Sequence, residues 1–522
     1  MQFWILYKRS LHKVDLTKQL EQDVFVRLKQ NLDEIEKLLG NSSDVVKRDF
    51  FIMNNNTFEA TLIYIDGLVD ETKIEETVLA PLLNNNRDLQ FLSELTKSEE
   101  IATALTKKLL LIPSINKVST FQDVINELLA GNTVLFVDHC VQCFVLATQG
   151  WDTRGIEEPQ SDTVIRGPRD GFVESIRANT ALVRRRIRDP MFRLQSLQIG
   201  KRSKTDVAIA YIDGVVREGL VDEVLERLNR IKIDAILESN YIEEFIDDAP
   251  NSPFMTVQGS ERPDKIAAGI YEGKVAIFVD NTPFVLLVPT HFWTFLNTSD
   301  DYYTQYWMGS FFRFIRYIAF IISLTLPSLF VMLVSFHQEM IPTPLAITIA
   351  AGREIVPLPI LLEALIMELA FELMREAGLR MPKQIGQAVS IVGSLIIGQA
   401  AVEAGLVSPI MVIVVATTGI ASFAIPNYFA SVSIRLIRFP ILIASGVLGL
   451  LGFATIFVVV LIHALSLRSF GEPYLAPVFP FSSSDQKDTL FRAPWWAKEK
   501  RPADVKDEPE RESENQKPSP EK

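Results

Sequence analysis

The sequence predicts an α/β soluble N-terminal region of two similar lobes, followed by an all-α multi-pass transmembrane domain. Charged residues make up 22% of the chain, but they thin out sharply after Tyr317. Beyond that point four long runs carry no charge at all, and strand-like motifs recur as a pair in the N-terminal half. A chain of 522 residues exceeds one ordinary hydrophobic core, so we expect several domains.

Residues 1–50 are predicted to form an N-terminal helical segment. Apolar residues recur every three or four positions from about residue 16 to residue 39, which is the period of an amphipathic helix. Gly40 ends the pattern, and the polar stretch 41–44 supplies a turn. The apolar face consists of Leu20, Val24, Leu28, Leu32, Ile35 and Leu39.

Two α/β lobes are predicted over residues 51–160 and 205–300, because the same motifs occur in both. TLIYIDGLV at 61–69 matches AIAYIDGVV at 208–216. Strands separated by helices favour a mixed or parallel sheet in each lobe, and the Asp-Gly pair after each strand is typical of a turn. Shorter FVD and FVL pieces recur in the same order at 136–138, 144–146, 278–280 and 284–286.

Residues 161–204 are predicted to be a basic connecting helix region. The loop motif RGPRDGF at 166–172 precedes a helical pattern over 175–189. Such a basic cluster binds an anion or an acidic partner, or it forms a solvated face that pairs with the protein's own acids, and we favour the second interpretation. The cluster consists of Arg177, Arg184, Arg185, Arg186 and Arg188.

A transmembrane domain is predicted over residues 301–470, because a helix needs about 20 apolar residues to cross a bilayer. Aromatic residues just before the first run indicate an interfacial belt. They are Tyr302, Tyr303, Tyr306 and Trp307. The four charge-free runs are 317–336, 384–402, 404–434 and 439–462.

A charged element interrupts the apolar region at 343–375 and contains two prolines, Pro357 and Pro359. Charges at this density do not face lipid, so they face a partner helix, a water-filled cavity or the interface. The segment is therefore a candidate re-entrant or interfacial element. Its charged residues are Arg353, Glu354, Glu363, Glu368 and Glu372.

The second run contains a ladder of small residues that would let another helix approach closely. A polar helix that is lined by small residues and ends in a carboxylate fits a cation path. The alternative interpretation is a tightly packed helix whose glutamines are buried and hydrogen-bonded. The ladder is Gly386, Ser390, Ser394 and Gly398. The polar residues beside it are Gln387, Gln399 and Glu403.

The orientation follows from the basic residues beside the spans. Arg313 and Arg316 at the first span place the N-terminal half in the cytoplasm, and Arg435 with Arg438 mark a further inside loop. The count is four or five crossings, depending on whether the charged element crosses. The C-terminal tail, 471–522, is predicted to be disordered from about residue 501.

Composition narrows the function classes. A net charge of −12 argues against a nucleic-acid binder. The sequence has no phosphate-binding loop, no metalloprotease motif and no nucleophile elbow, so no enzyme, catalytic residue, cofactor or metal is predicted. Cys140 and Cys143 lie in an apolar run, where two buried thiols are the preferred interpretation over a zinc or redox site.

Several long motifs resemble the A subunit of spore nutrient-germinant receptors, the GerA-type spore germination proteins of endospore-forming bacteria. The most distinctive is IGQAVSIVGSLIIGQAAVEAGLVSPIMVIVVATTGIASFAIPNY at 385–428. The resemblance covers roughly residues 16–497. Other matching pieces are LGNSSDVV (39–46), RGPRDGF (166–172), FHQEMIPTPL (336–345), MELAFELMREAGLRMP (367–382), RLIRFP (435–440), SLRSFGEPYLAP (466–477) and KDTLFRAPWW (487–496).

The resemblance implies a multi-pass protein of the spore inner membrane, with its N-terminal half on the spore core side. It implies a transporter-like B subunit and a lipoprotein C subunit as partners, contact with membrane lipid, and a homo-oligomer. The implied role is to help sense amino acids, sugars or salts and to trigger germination as a ligand-gated ion path.

The gating hypothesis is that nutrient binding on a partner changes the packing of the helix 386–403 and opens a wet path. Bulky replacements at Ser390 or Ser394 should then change the response to nutrient. The alternatives are a secondary transporter with broken helices and a non-conducting scaffold subunit. Ion flux from the reconstituted complex separates these classes.

Overall fold

The computed structural model describes residues 19–52, 58–83, 110–112, 114–150, 158–159, 162–381, 398–482, 485–498 and 501. Two α/β lobes come first, and a helical region follows. Each lobe holds one five-stranded sheet. The duplicated motifs therefore correspond to a duplicated architecture.

The first lobe has the strand order β1-β2-β4-β5-β3. Helices α1 and α2 cover one face of this sheet, and a helical stretch over 71–83 covers the other. The strands are β1 (Val45–Phe51), β2 (Glu59–Ile65), β3 (Ile115–Val118), β4 (Thr133–Val137) and β5 (Cys143–Leu146). The helices are α1 (Leu28–Leu39) and α2 (Phe121–Leu129).

The second lobe repeats this arrangement with the order β6-β7-β9-β10-β8. Helices α3 and α6 cover one face, and α4 and α5 cover the other. The strands are β6 (Phe192–Ile199), β7 (Thr205–Ile212), β8 (Gln258–Ser260), β9 (Val275–Val279) and β10 (Val285–Val288). The helices are α3 (Ile176–Arg184), α4 (Leu220–Arg230), α5 (Ser239–Ile246) and α6 (Pro263–Tyr271).

The prediction of mixed or parallel sheets is wrong, because every neighbouring pair of the described strands is antiparallel. In the first lobe, β3 and β4 are joined through α2 and run in the same direction. Strand β5 lies between them and runs against both. The helix that connects two strands of the same direction is therefore present. The sheet is nevertheless antiparallel, because β5 lies between those two strands.

The FVD motif has a structural role that the sequence did not reveal. Asp138 follows β4 and accepts a hydrogen bond from the backbone N–H of Leu28, at the start of α1 (3.0 Å). Asp280 follows β9 and does the same for Ile176 at the start of α3 (3.1 Å). Helix α1 therefore begins at Leu28, later than predicted, although Leu20 and Val24 still belong to the same apolar cluster.

Both lobes begin earlier than residues 51 and 205. Strand β1 starts at Val45, and β6 of the second sheet lies within the region predicted as a connector. The cluster of arginines pairs largely with the protein's own acids. Arg184 forms a buried ion pair with Asp44 of the first lobe (2.9 Å), and Arg186 pairs with Asp170 (2.5 Å).

The helical region begins with a short helix that leads into a long one. A later apolar helix is shorter, and residues 398–403 are also helical. The helices are α7 (Asp300–Tyr303), α8 (Tyr306–Phe336), α9 (Thr343–Arg353), α10 (Ile360–Arg380), α11 (Pro409–Phe423) and α12 (Tyr428–Ser466). In the described part of the chain, α8 and α12 are long and apolar enough to cross a membrane by length and composition.

Helix α12 consists of two arms that reverse direction at Gly449. This residue has φ 60° and ψ −137°, outside the helical range. A β-carbon built on Gly452 would lie 2.0 Å from the carbonyl oxygen of Ala444, whereas residues eight apart in a continuous helix are separated by about 12 Å. The charge-free run 439–462 is therefore not one span, and the run 404–434 is also divided, between α11 and α12.

The chain returns to the second lobe after the last helix. Strands β11 (Arg468–Ser469) and β12 (Glu472–Pro473) form a small hairpin, and Phe470 lies fully buried in the core of the second lobe. Residues from 471 to 498 that the structure describes therefore pack against the protein. The region predicted to be disordered lies, apart from Arg501, outside the described residues.

Candidate functional site

Helix α10 carries four charged side chains along the side that packs against α8, α11 and α12. The helix begins after Pro359, whose fixed backbone angle suits a position just before the first helical turn. The four residues span about 18 Å along the helix axis. We name Glu363, Glu368, Glu372 and Arg375 the charged seam.

Glu368 forms a deeply buried ion pair in the seam. Its carboxylate lies 2.6 Å from the guanidinium of Arg438 on α12, and both side chains are 3% exposed. Arg438 also donates a hydrogen bond to the hydroxyl of Ser323 on α8 (3.0 Å). Three helices that are distant in sequence therefore meet at one ion pair. Removing either partner would leave a buried charge, which is strongly unfavourable.

The lobe end of the seam is held by two further contacts. Glu372 pairs with Arg435 of α12 (2.5 Å), one helical turn from the previous pair. Arg375 donates to the hydroxyl of Ser422 on α11 (2.6 Å). Its guanidinium also lies 4.3 Å from the ring centre of Phe423, a cation–π distance. Two acids of the seam therefore pair with arginines of α12, and the arginine of the seam binds α11.

Glu363 occupies the other end of the seam and is fully buried. One carboxylate oxygen accepts hydrogen bonds from the backbone N–H and the hydroxyl of Ser408, both at 2.6 Å. Ser408 caps α11, so the carboxylate lies at a helix N-terminus, where a negative charge is favoured. The other oxygen is 3.7 Å from Arg353, an ion-pair contact too long for a hydrogen bond.

Two breaks in the helices meet beside Glu363. The chain breaks between α9 and α10, and again between residue 403 and α11. A β-carbon built on Gly405 would lie 3.3 Å from the carbonyl oxygen of Ile355, so the two breaks are in contact. Irregular backbone at membrane depth is found where protein or water surrounds it. Pro357 and Pro359 lie in the first of these breaks, whereas Glu354 is exposed and takes no part in the seam.

Some polar atoms of the seam lack a hydrogen-bond partner within the described ranges. They are one carboxylate oxygen each of Glu363 and Glu368 and the Nε atom of Arg375, and the Nε atom of Arg438, the partner of Glu368, is in the same position. Buried polar atoms of this kind are rare, because each costs about 1–3 kcal/mol when left unsatisfied. The seam therefore has a capacity for additional hydrogen bonds.

The predicted pore helix is described only at its C-terminal end. Gly386, Gln387, Ser390 and Ser394 lie outside the described residues. Gly398 is buried, and a β-carbon built on it would lie 3.5 Å from the side chain of Val412 on α11. Gln399 and Glu403 are exposed and hydrogen-bonded to each other (2.9 Å), and they face away from the part of the chain that the structure describes.

The sequence model of one family, described as Bacillus/Clostridium GerA spore germination protein, matches residues 33–504. That range includes both lobes, the seam and the returning C-terminal segment. The chain belongs to the GerA family of spore germination proteins. The resemblance drawn from its motifs is thereby confirmed.

Characterised GerA relatives match over most of their length. The chain is 44% identical to spore germination protein KA of Bacillus subtilis, covering 94% of this chain and 89% of that one. It is 37% identical to spore germination protein GerLA of Bacillus cereus, covering 91% and 94%. A crystal structure of the N-terminal domain of the A subunit of the Bacillus megaterium germinant receptor GerK3 is 34% identical, covers 52% of this chain and 98% of that one, and gives a TM-score of 0.41.

In this GerA protein, the acids of the seam are evident from the sequence as charges in an apolar region, whereas their partners were not predicted. Arg435 and Arg438 were assigned to a cytoplasmic loop, and that assignment is wrong, because both lie buried within α12. A signal was present. The two arginines are three residues apart within an apolar stretch, and Glu368 and Glu372 are four apart on α10, so each pair occupies one helix face.

Proposed function

We propose that this chain is the A subunit of a germinant receptor complex in the spore inner membrane. It helps to sense amino acids, sugars or salts and triggers germination as an oligomeric ligand-gated ion path. Its partners are a transporter-like B subunit and a lipoprotein C subunit. The similarity of this chain to spore germination proteins of two Bacillus species over most of their length supports this role.

The observation that carries the proposal is the outward position of Gln399 and Glu403. They follow Gly398 on a helix that packs against α11, within an apolar region. An ionisable side chain there does not face lipid. Water or another copy of the chain must cover it. A ring of copies around a wet centre satisfies both requirements, because each copy contributes one carboxylate to the lining.

The charged seam supplies a means of gating in this proposal. It joins α8, α10, α11 and α12 through polar contacts that have discrete partners. Exchange of those partners would shift whole helices, since packed interfaces change between discrete arrangements. A nutrient moves this equilibrium only by binding the open arrangement better than the closed one.

Charge reversal at Glu403 tests the ion path. The complete receptor, with all three subunits, is placed in vesicles loaded with potassium and exposed to a mixture of L-alanine, L-asparagine and D-glucose. Glu403→Lys should lower nutrient-triggered potassium release about tenfold, because a cation then meets a positive lining. Glu376→Lys is the control, since Glu376 is an exposed carboxylate on α10 that pairs with Arg380. Equal release from Glu403→Lys and the wild type would refute the path and favour the scaffold role.

A second candidate function is a secondary transporter. The contact between two helix breaks at Glu363 favours it, because broken helices commonly form substrate sites in transporters. Accumulation of labelled nutrient inside the vesicles, without a potassium pulse, would support this alternative.

A further inference from the structure

The short helix α7 lies between the second lobe and the first long helix. Its four consecutive residues, Asp300, Asp301, Tyr302 and Tyr303, each contact a different part of the molecule. From the sequence, the two tyrosines were assigned to a membrane-interface belt. Their hydroxyl groups instead bind protein groups.

Asp300 holds the linker between the lobes. Its carboxylate accepts hydrogen bonds from the backbone N–H groups of Ile165 (3.1 Å) and Arg166 (3.2 Å). The next residue, Gly167, has φ +141°, and a β-carbon built on it would lie 2.5 Å from the ring of Tyr303. The RGPRDGF motif therefore needs glycine at this position to lie against α7.

Asp301 fixes the beginning of α8. It is 2% exposed and forms ion pairs with Arg313 (3.3 Å) and with Arg316. Arg313 lies fully buried, two turns into α8. A β-carbon built on Gly309 would lie 2.6 Å from the carbonyl oxygen of Asp301, so α7 and α8 are in direct contact. A displacement of α7 must therefore move the start of α8.

Tyr302 and Tyr303 extend the contacts in two directions. The Tyr302 hydroxyl donates to Asp488 of the C-terminal segment (3.0 Å), and Asp488 also pairs with Arg313 (3.2 Å). The Tyr303 hydroxyl donates to Asp264 at the start of α6 in the second lobe. One helical turn thus joins the linker, the second lobe, the first long helix and the C-terminal segment.

We propose that α7 is the coupling element through which a change in the arrangement of the lobes reaches the first long helix. This inference rests on the proposed function, because it assigns the route by which an event in the lobes would bias the helices. Adjacent residues of one short helix make the contacts at both ends of this route, since Asp300 binds the linker and Asp301 binds the start of α8.

The test compares variants of the complete receptor in vesicles under the nutrient mixture above. Asp300→Ala combined with Tyr303→Phe should lower the maximal rate of potassium release about tenfold, at equal receptor content. Asp300→Asn should keep the wild-type rate within about twofold, because the amide oxygen still accepts both hydrogen bonds. Tyr306→Phe is the matched control, since Tyr306 lies three residues after Tyr303 and its side chain is exposed. Wild-type release from the double variant would overturn the proposal.

A second measurement is independent of ion release. Hydrogen–deuterium exchange on the purified full-length chain in detergent should show that Asp300→Ala accelerates exchange both in the linker 165–172 and in the first turns of α8. Acceleration confined to the linker would also overturn the coupling. A wild-type receptor that releases no potassium would instead count against the proposed function, and exchange would still decide the coupling.

Discussion

Glu368 and Arg438 can lie in the interior of an apolar helix bundle because each supplies the other's counter-charge. Removing both groups from water costs several kcal/mol per ion, and the ion pair only offsets that cost. The pair is therefore weak evidence for stability. It fixes the register of α10 against α12, at the position where Ser323 of α8 also binds.

Replacing both members of this pair should destabilise the protein less than replacing one of them. Glu368→Leu leaves Arg438 charged and unpaired, and should destabilise the protein by about 3–5 kcal/mol. Glu368→Leu with Arg438→Leu removes both charges and should recover most of that loss. Thermal unfolding of the full-length chain in detergent measures both effects. A double variant as unstable as the single one would show that the pair itself stabilises the bundle.

Glu243 of the second lobe should make stability depend on pH. Burial and the nearby carboxylates of Asp247, Glu238 and Glu244 raise the pKa of Glu243 from 4.5 to about 7. Between these values the folded protein keeps a proton that the unfolded chain has lost. The contribution of Glu243 to the free energy of unfolding is therefore highest near the acid end of this window and falls as the pH rises to about 7.

Glu243→Gln should remove this contribution. The melting temperature of the full-length chain is measured from about pH 5 to about pH 8 for the wild type and the variant. The difference between the two should grow as the pH rises, in favour of the variant. His291 has the opposite dependence, because burial lowers its pKa to about 4. It is present in both proteins and cancels in the comparison. A constant difference would contradict the raised pKa of Glu243.

At the scale of elements, the sequence predicts where apolar segments lie better than how they are divided. A run without charged residues shows which residues can lie in a membrane. It does not show where the chain reverses direction within the run, because glycine alone can make that turn. Gly449 and Gly452 supply the backbone freedom and the close approach that the reversal in α12 requires. Each arm then reaches about 25–30 Å, near the thickness of the hydrocarbon core.

The same substitution at two glycines should separate the reversal from ordinary helix positions. Gly452→Ala places a methyl group against the Ala444 carbonyl and should cause loss of most of the folded chain from the membrane fraction. Gly378→Ala in α10 meets no atom of the described residues within 4 Å and should stabilise that helix by about 0.5–1 kcal/mol. The amount of full-length protein that is extracted in folded form gives the comparison. Equal yields would contradict a tight reversal at Gly449.

At the scale of the whole molecule, duplication was predictable because the YIDG and FVD motifs occur twice. The antiparallel sheet was not, because strand order depends on contacts between distant segments. The acids of the seam were also predictable, since a charge in an apolar run is conspicuous. Their partners were not, because Glu368 and Arg438 lie 70 residues apart, and the similar spacing of the two acids and the two arginines does not by itself show that their helices are in contact.

The return of the chain to the second lobe predicts the side of its C-terminus. Helix α8 leaves from the second lobe, and after α12 the chain inserts Phe470 into the core of the same lobe. Arg217 donates to the carbonyl of Phe470 (2.6 Å), and Arg227 lies 4.0 Å from its ring centre. If the helices span a bilayer, the number of crossings is therefore even, so the five-crossing alternative does not fit.

Reporter peptides attached before Met1 and after Lys522 should then lie on the same side of the membrane. An added protease should cleave both reporters in vesicles that expose this side, and neither reporter in vesicles that enclose it. A reporter inserted in the turn Gln338–Met340, which follows the far end of α8, should give the opposite pattern. Phe470→Ala weakens the anchor without moving a crossing, so it should lower stability by about 3–5 kcal/mol and leave the cleavage pattern unchanged. Terminal reporters on opposite sides would refute an even number of crossings. That result would also mean that the hairpin of β11 and β12 cannot complete the second lobe in the membrane-embedded protein.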